Sequence, residues 1–340
     1  MGTTFKSRLI QAPCRLAVRG RKQTCWGRAG RRRVWSAAIR RCLATAFLIA
    51  PIVSCSKAEG PKVPVAIPFS FEHNQIVVEA YVNGHGPLRF LFDTATDPST
   101  IDLDAARSAG LSLKATGKAG EGGGSERTLT YDTKFSSLSL GTIVQQDVEA
   151  VGMDQHQLHS AFALPVVGVI GYSFIQNRIF TIDYAQHLIT FFDHPPGEVT
   201  GNKTKSVHLR LDHGDNIPLV EDCMIDHSRV VAAIDTGSSF AITLTPAATT
   251  RLGLQAIADA GQIVPGRGYN GVTKATLGKV PVIEIGGVQL RDVEVRFFKP
   301  GFGYDHTTWD VNLGNPFLQQ FQLTMDYHSR RVFFTNKPTQ

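Results

Sequence analysis

An internal repeat constrains the fold of this 340-residue chain more than any other feature of the sequence. An apolar run ends abruptly at Asp93, and a second apolar run ends in the same way at Asp235, 142 residues later. The ends of the two halves then match at a spacing of 143 residues: Gly171, Phe174, Gln176, Thr181, Asp183, Tyr184 and Phe191 return as Gly314, Phe317, Gln319, Thr324, Asp326, Tyr327 and Phe334. Identities held in register over this length indicate a duplicated structural unit.

Each half has the sequence pattern of β-hairpins. Short runs rich in β-branched and aromatic residues alternate with turn residues such as Asn83-Gly84. The predicted strands are residues 75–82, 88–92, 217–225 and 230–234. A short helix is predicted after each acid, over residues 103–109 and 246–252, with a glycine at the end of each.

The repeat divides the chain into segments. Residues 195–205 are polar and contain Pro and Gly, which is typical of a linker between domains. The predicted segments are a leader (1–54), a spacer (55–63), an N-terminal lobe (64–194), the linker (195–205) and a C-terminal lobe (206–336).

The net charge of +6 is concentrated at the N-terminus. Residues 1–54 contain 12 of the 35 Lys and Arg and no Asp or Glu, so the rest of the chain holds 23 basic against 29 acidic residues. A nucleic-acid-binding protein carries a basic patch or stripe, and the body of this chain has none, so no nucleic-acid partner is expected. The alternative is a basic arm that binds phosphates, which requires that the leader remain attached.

The leader has the order of an export signal. The basic stretch ends at Arg41 and is followed by an apolar segment, residues 43–53, and then by Ser54-Cys55. Residues 52–55 resemble a bacterial lipobox, so we expect export to the bacterial cell envelope or periplasm and lipidation of Cys55, which would anchor the protein to the membrane. The alternative is a plain secretory signal or membrane anchor with Cys55 unmodified. Only Cys223 lies beyond residue 55, so no internal disulfide is expected in the body.

Both halves place a carboxylate where an apolar strand ends. A buried carboxylate is costly unless it is hydrogen-bonded or functional. One Asp-Thr-Gly triplet is consistent with an ordinary turn, but here Asp93-Thr94-Ala95-Thr96 and Asp235-Thr236-Gly237-Ser238 occupy equivalent points of a duplicated unit. The two acids are therefore the leading candidates for a functional site.

With these motifs the chain resembles the bacterial aspartyl protease families, which are retropepsin-like and pepsin-like and here carry both halves in one chain. The resemblance covers residues 64–336, and Val169-Ile170-Gly171 and Asn312-Leu313-Gly314 match the apolar-apolar-Gly element of these families, the second imperfectly. It implies an all-β protein of two homologous β-barrel lobes with short helices, related by a pseudo-twofold axis, with the active cleft between them. It also implies that Asp93 and Asp235 are catalytic and that Thr94 and Thr236 brace the two active loops.

One residue departs from the family pattern. Ala95 stands where the family has glycine, as Gly237 does in the other half. If the position requires a positive φ or a close backbone approach, a Cβ strains the first active loop. Thr96 and Ser238 are the small hydroxyl residues expected beside such carboxylates. The alternative to an enzyme is therefore a catalytically inactive peptide-binding or scaffold protein of the same fold in the cell envelope.

The chemistry of two close carboxylates favours an aspartic endopeptidase. Two such groups cannot both ionise, so the pair holds one proton over a wide pH range, and one member acts as base while the other acts as acid. The reaction needs no metal, cofactor or covalent intermediate. The expected substrate is a polypeptide in extended conformation, and Gly-rich hairpins at 120–125 and 265–271 are expected to close over it. Because both acids are in one chain, a monomer is sufficient.

Overall fold

The fold was analysed in a computed structural model that describes residues 64–120, 124, 126–159, 162, 164–200, 204–268, 271–302 and 304–336. All of these belong to one compact unit. The predictions for the leader, for Cys55 and for the spacer lie outside the described residues. Within the described residues no helix is both long and apolar enough to cross a membrane.

Strands dominate both halves of the chain. The strands of the first half are β1 (Val65–Pro68), β2 (Ser70–Glu72), β3 (Gln75–Val82), β4 (His85–Phe92), β5 (Ser99–Asp102), β6 (Lys114–Ala119), β7 (Leu129–Leu140), β8 (Ile143–Met153), β9 (Gly168–Ile170), β10 (Ile179–Asp183) and β11 (Leu188–Phe192). Its helices are α1 (Leu103–Ser108), α2 (His156–His159) and α3 (Tyr172–Ile175).

The second half repeats this order of elements. Its strands are β12 (Thr204–His208), β13 (Arg210–Leu211), β14 (Pro218–Ile225), β15 (Ser228–Ile234), β16 (Ile242–Leu244), β17 (Gln262–Gly268), β18 (Gly271–Ile285), β19 (Val288–Phe298), β20 (Val311–Leu313), β21 (Phe321–Asp326) and β22 (Arg331–Asn336). Its helices are α4 (Pro246–Arg251), α5 (Gln255–Ala260) and α6 (Asn315–Leu318), and a 3₁₀ turn (Gly197–Thr200) lies between the halves.

Each half forms an eight-stranded sheet with the same strand order. The first is β2-β3-β4-β9-β5-β8-β7-β6 and the second is β13-β14-β15-β20-β16-β19-β18-β17. Additional pairings, β3 with β7 and β14 with β18, join distant strands of each sheet so that it curls towards a barrel. The predicted all-β fold of two homologous barrel lobes is confirmed.

A third sheet joins the lobes, in the order β1-β11-β10-β21-β22-β12. In its centre β10 pairs antiparallel with β21, so that Thr181 lies opposite Thr324, its own repeat equivalent, and the two hydroxyls are 2.8 Å apart. On either side of this pair, Ile179 pairs with Asp326 and Asp183 pairs with Gln322. Gln322 is the repeat equivalent of Ile179 and Asp326 is that of Asp183, so the repeat exchanges the two pairs. The pseudo-twofold axis therefore passes between the two threonines.

The predicted linker is shorter in the structure than in the sequence interpretation. Strand β12 begins at Thr204, inside the segment 195–205, and pairs with β22 at the edge of the joining sheet. The backbone groups at the end of this segment find partners in that sheet, and a polar composition does not prevent such pairing because an edge strand needs only one buried face. Cys223 is buried, and burial raises the pKa of its thiol to about 12, so the thiol stays protonated at neutral pH.

Candidate active site

The two acids lie at equivalent ends of parallel strand pairs. Strand β4 runs parallel to β9 and leads into Asp93, while β15 runs parallel to β20 and leads into Asp235. The backbone N–H of Asp93 donates to the carbonyl of Ile170 (3.0 Å), and that of Asp235 donates to the carbonyl of Leu313 (2.9 Å). Each active loop is thus anchored to the apolar-apolar-Gly element of its own lobe.

The glycine of that element is required by close packing. A Cβ at Gly171 would come within 2.2 Å of the carbonyl oxygen of Thr96, and a Cβ at Gly314 within 2.1 Å of the carbonyl oxygen of Phe240. Real Cβ atoms do not approach other heavy atoms so closely. Asn312-Leu313-Gly314 therefore occupies the same structural position as Val169-Ile170-Gly171 and packs in the same way, even though its first residue is polar.

Two threonines connect the active loops across the pseudo-twofold axis. The backbone N–H of Thr94 donates to Oγ1 of Thr236 (3.0 Å), and the N–H of Thr236 donates to Oγ1 of Thr94 (3.2 Å). The hydroxyls in turn donate to carbonyls of the opposite lobe, Thr94 to Ile234 (2.6 Å) and Thr236 to Phe92 (2.8 Å). Both side chains are buried. These four bonds hold the acids at a fixed separation, because each loop is tied to the strand that carries the other acid.

The two carboxyls contact each other. A hydrogen bond joins Asp235 to Asp93, and each also accepts from a backbone N–H of its own loop, Ala95 to Oδ1 of Asp93 (2.7 Å) and Gly237 to Oδ1 of Asp235 (2.8 Å). Asp93 is only 3% exposed, whereas Asp235 keeps part of its surface open. Burial, followed by the charge on Asp93, raises the pKa of Asp235 above its ordinary value. The pair therefore holds a proton on Asp235 in a pH range where an isolated aspartate has lost it.

Ala95 is accommodated without the strain expected from its sequence position. The φ angle of Ala95 is not positive. The requirement for glycine instead applies to the other loop and is one of space: a Cβ at Gly237 would lie 2.2 Å from Oδ2 of Asp93. The expected backbone strain at Ala95 is therefore absent, because this loop keeps an ordinary L-residue conformation.

The surroundings of the two acids differ in a way that the sequence interpretation missed. The hydroxyl of Thr96 donates to Oδ2 of Asp93 (2.7 Å), as expected. Ser238, its equivalent, instead exchanges weak hydrogen bonds of 3.4 Å with the backbone of Phe240. Oδ2 of Asp235 accepts from the amide of Asn312 (2.6 Å). The longer amide side chain approaches from β20 and supplies the donor that Ser238 does not.

A tyrosine in the loop after β19 also lies close to the acids. Burial raises the pKa of Tyr304, the negative charges of Asp235 and Asp93 raise it further, and the positive charge of Arg296 opposes them, so this hydroxyl stays protonated at any ordinary pH. Its ring stacks on Phe298 at 4.1 Å between centroids and meets Trp309 edge-on at 5.6 Å. Nothing in the local sequence pattern distinguishes Tyr304, because the loop that brings it to the acids is irregular.

Two hairpins, one from each lobe, are formed by β6 with β7 and by β17 with β18. The N–H of Gly124, near the first tip, donates to the carbonyl of Phe302 in the second lobe (3.1 Å). Near the second tip, Gly271 packs so closely on Glu126 that a Cβ would lie 2.7 Å from its carboxyl carbon. The predicted tips, 120–125 and 265–271, include residues outside the described ones, but the described parts meet each other across the cleft.

Within the described residues no group of three or more His, Cys, Asp or Glu side chains is arranged to hold a metal ion. The hydrogen-bond donors described around the two carboxyls are neutral groups of Ala95, Thr96, Gly237 and Asn312. This arrangement suits proton transfer to and from a polarised substrate.

Comparison with solved structures returns, among others, two 7S globulins at low sequence identity. The basic 7S globulin from soybean is 13% identical, with a TM-score of 0.43 over 82% of this chain and 96% of that chain. Conglutin gamma, a basic 7S globulin from lupine seeds, is 11% identical, with a TM-score of 0.45 over 81% of this chain and 96% of that chain. Comparison of the sequence with curated proteins finds no significant match.

Comparison with protein families matches the same family twice along the chain. A family model described as aspartyl protease matches residues 78–174 and again residues 221–317. Each match contains one active-loop acid and one apolar-apolar-Gly element, and together the two matches cover more than half of the chain. The chain therefore belongs to the aspartyl protease family.

Proposed function

We propose that the protein is an aspartic endopeptidase in which Asp93 and Asp235 are the catalytic residues. The observation that carries the proposal is the hydrogen-bonded pair of carboxyls at the ends of two equivalent strands, braced by the reciprocal bonds of Thr94 and Thr236. A chain that only needed to fold would gain nothing from two acids facing each other in a buried site, because burying them is costly.

The mechanism follows from a pair that holds one proton. Ionised Asp93 accepts a proton from a water molecule as the water oxygen attacks the carbonyl carbon of the peptide bond. Protonated Asp235 transfers its proton to the carbonyl oxygen as negative charge develops there, which gives a neutral gem-diol intermediate. In the second half of the reaction the proton now on Asp93 passes to the leaving amine, the C–N bond breaks, and the tetrahedral intermediate returns a proton to Asp235 to give the free acid product.

The surrounding residues support this division of roles. Ala95, Gly237, Thr96 and Asn312 donate four hydrogen bonds of 2.6–2.8 Å to the two acids and so fix the carboxyl orientation before substrate binds. Groups held in this way need little reorganisation during the reaction. The hydrogen bonds described for the Ser238 hydroxyl go to the backbone of Phe240, and its backbone N–H donates to the backbone carbonyl of Asp235 (3.3 Å), so Ser238 is assigned only to the conformation of its loop.

The substrate in this proposal is a polypeptide in extended conformation. The cleft between the lobes is roofed by two β-hairpins, and an extended chain is the form that can pair with their exposed strand edges. Because the hairpins contact each other in the structure, they must separate before a chain enters. Since both acids come from one chain, the proposed active form is a monomer.

The experiment that tests the activity is digestion of a diverse, unstructured peptide mixture by the purified full-length chain between about pH 3 and 7, where a carboxyl pair with one proton is expected to act. New peptide termini are identified by mass spectrometry. The matched control is Asp235→Asn, which preserves shape and removes the acid. Cleavage that disappears in the control supports the proposal. A folded wild-type protein that cuts no peptide refutes it and leaves a catalytically inactive peptide-binding protein. Cleavage that is equal after the substitution refutes the catalytic role of Asp235.

We further propose that the protein is exported to the bacterial cell envelope and anchored through a lipid on Cys55. The support is the order of basic stretch, apolar segment and Ser54-Cys55 in the sequence. Mass spectrometry of the mature protein should find an N-terminus at a lipid-modified Cys55. Cys55→Ser should abolish the lipid and Cys42→Ser should retain it; an unmodified Cys55 in the mature chain contradicts the anchor, and a retained leader contradicts export by this route.

A further inference from the structure

Arg296 is a buried cation without an anionic partner among the described residues. The residue is only 4% exposed, and its described contacts include no ion pair. Nη2 donates to Oγ1 of Thr273 (3.1 Å), while Nε is buried and has no hydrogen-bond partner. Burial lowers the pKa of Arg296 to about 10, so the guanidinium still carries its charge at neutral pH. Burying such a charge without a counter-charge is costly.

Aromatic rings hold the guanidinium in place. Its central carbon lies 3.7 Å from the ring centroid of Phe240 and 4.6 Å from that of Phe298. Cation–π contacts of this kind offset part of the cost of burial and fix the plane of the guanidinium. The rings contact the faces of the guanidinium, so its N–H groups can donate to an acceptor in the plane, as Nη2 does to Thr273.

The register of the sheet places Arg296 on the same face as the catalytic site. Asn312, Thr243 and Arg296 lie side by side on β20, β16 and β19. Residues in register on neighbouring strands point to the same face, and the strands are about 4.8 Å apart. Asn312 contacts Asp235 on this face, so Arg296 lies two strands, or about 10 Å, further along the same side of the sheet.

The duplicated lobe shows that the fold does not require an arginine here. The equivalent row of the first lobe is Val169, Thr100 and Val151, with the same pairing of strands. The threonine is retained in both rows, whereas the two valines are replaced by Asn312 and Arg296 in the second lobe. Asn312 has a contact with a catalytic acid that explains it. Arg296 has no comparable explanation within the described residues.

Arg296 is also close to the path of a bound chain. Its partner Thr273 lies on β18, in the hairpin that roofs the cleft. A Cβ at Gly266, on the other strand of that hairpin, would be 3.1 Å from Nη2, so the guanidinium lies directly beneath the hairpin. An extended peptide advances about 3.3 Å per residue, so a distance of 10 Å corresponds to two or three residues.

We infer that Arg296 forms a subsite of the second lobe that binds a carboxylate of the peptide substrate, two or three residues from the bond that is cut. The guanidinium fork matches a carboxylate in two parallel hydrogen bonds. This inference rests on the proposed peptidase function for the position of the scissile bond. The carboxylate is supplied by an Asp or Glu side chain or by the C-terminus of a short peptide, and the experiment distinguishes these sources.

The test compares peptides that carry Glu or Gln at each of the four positions on either side of a cleaved bond, with the C-terminus amidated. Because hydrogen bonds to charged groups are the stronger class, we expect kcat/KM to be about 10- to 100-fold higher for Glu than for Gln at one position. Arg296→Met should reduce this ratio, measured with both peptides in the same variant, to about 1. Val151→Met, the matched substitution in the first lobe, should leave the ratio unchanged. A further comparison uses peptides without Asp or Glu whose C-terminus is either free or amidated. If only the free C-terminus raises kcat/KM, the bound carboxylate is that of the peptide C-terminus.

Several outcomes overturn the inference. A wild-type ratio near 1 at every position, with free and amidated termini alike, removes the subsite. A preference that survives Arg296→Met assigns the recognition to other residues. Arg296→Lys guards against a misfolded methionine variant, because it keeps the charge but loses the fork and should give an intermediate ratio.

A second readout separates this inference from the proposed function. Binding of the same labelled peptide pairs to Asp235→Asn, measured by fluorescence anisotropy, does not depend on turnover. We expect the dissociation constant to be about 10-fold lower for the Glu peptide, and this advantage should disappear in Asp235→Asn/Arg296→Met. If no peptide is cut but the binding preference is present, the subsite stands and the peptidase proposal fails. If peptides are cut but neither readout shows a preference, the peptidase proposal stands and the subsite fails.

Discussion

The amide of Asn312 gives a sharp test of the asymmetry between the two acids. It donates to Oδ2 of Asp235 over 2.6 Å and lies in a buried position, whereas the equivalent residue of the first lobe is Val169. We predict the effect of Asn312→Val, which places in the second lobe the residue that the first lobe already accommodates. The substitution also removes the amide Oδ1, a buried acceptor without a partner among the described residues. The folded state should therefore lose little stability.

The expected effect is on the pH dependence of the reaction. A hydrogen bond to a charged group contributes roughly 1.5–3 kcal/mol, and 1.36 kcal/mol corresponds to one pKa unit, so losing the amide should shift the titration by about 1–2 units. The amide stabilises ionised Asp235, so its loss raises the pKa of Asp235 further. Since the active pair carries its proton on Asp235, the alkaline limb of the kcat/KM profile should move to higher pH.

The assay is kcat/KM for one cleaved peptide as a function of pH, which reports the titration of the free enzyme. The matched variant is Thr96→Val, which removes the donor to Oδ2 of Asp93. This bond to Asp93 is the same whether or not Asp235 carries its proton, so the alkaline limb should stay in place. The two variants therefore separate the contributions of the two loops to that limb.

The reasoning is refuted if Asn312→Val leaves the alkaline limb unchanged or moves it to lower pH. An exchange of the two effects, with Thr96→Val acting on the alkaline limb, would place the shared proton on Asp93 instead of Asp235. Circular dichroism and the urea midpoint of each variant establish that the profile belongs to a folded protein.

Three further predictions concern stability and geometry. Because the pKa of Asp235 is raised in the folded state, its contribution to stability is complete below the unfolded pKa, about 3.9, and is lost as pH rises through the folded pKa. The urea midpoint of the wild type should therefore fall with pH relative to that of Asp235→Asn. Parallel curves for the two proteins would contradict this. Thr236→Val leaves a buried backbone donor and a buried carbonyl without their partner and should lower the free energy of unfolding by about 2–4 kcal/mol. Thr335→Val, whose hydroxyl bond is only partly buried, should lower it by less than about 1 kcal/mol. Equal urea midpoints for the two variants would contradict the bracing role of Thr236. Gly237→Ala places a methyl group 2.2 Å from Oδ2 of Asp93 and should lower kcat by about 100-fold or more, because misplacement of a reacting group by about 1 Å has effects of this size; near-normal turnover would contradict the assigned geometry.

The repeat made much of the fold predictable. Because hydrophobic alternation and turn residues determine which face of a strand is buried, the hairpins around 75–92 and 217–234 were recognisable from sequence and are strands β3, β4, β14 and β15. The position of each acid at the end of an apolar run also predicted that Asp93 and Asp235 would lie at equivalent points. Periodicity carries this information because it reflects local backbone geometry.

The less accurate expectations concern contacts between distant segments. Sequence reasoning expected strain at Ala95 if that position required a positive φ or a close approach, and it expected the Ser238 hydroxyl beside a carboxylate. Ala95 has no positive φ, and the hydrogen bonds described for the Ser238 hydroxyl go to Phe240. Whether a glycine is required depends on what occupies the space beside it, and the nearby group at Gly237 is an acid 144 residues earlier in the chain. No local pattern reports that distance.

The sequence by itself determined a duplicated, strand-rich unit with one acid in each copy, since duplication and periodicity are properties of the order of residues. The tertiary structure alone decided how those acids differ. Asn312 and Arg296 lie in strands whose sequence pattern is ordinary. Asn312 contacts the carboxyl of Asp235, and Arg296 contacts two aromatic rings and a threonine of the β17–β18 hairpin. The fold alone brings these partners together. A side chain's chemistry depends on its neighbours in space, and in a sheet with crossed strand order these neighbours come from remote parts of the chain.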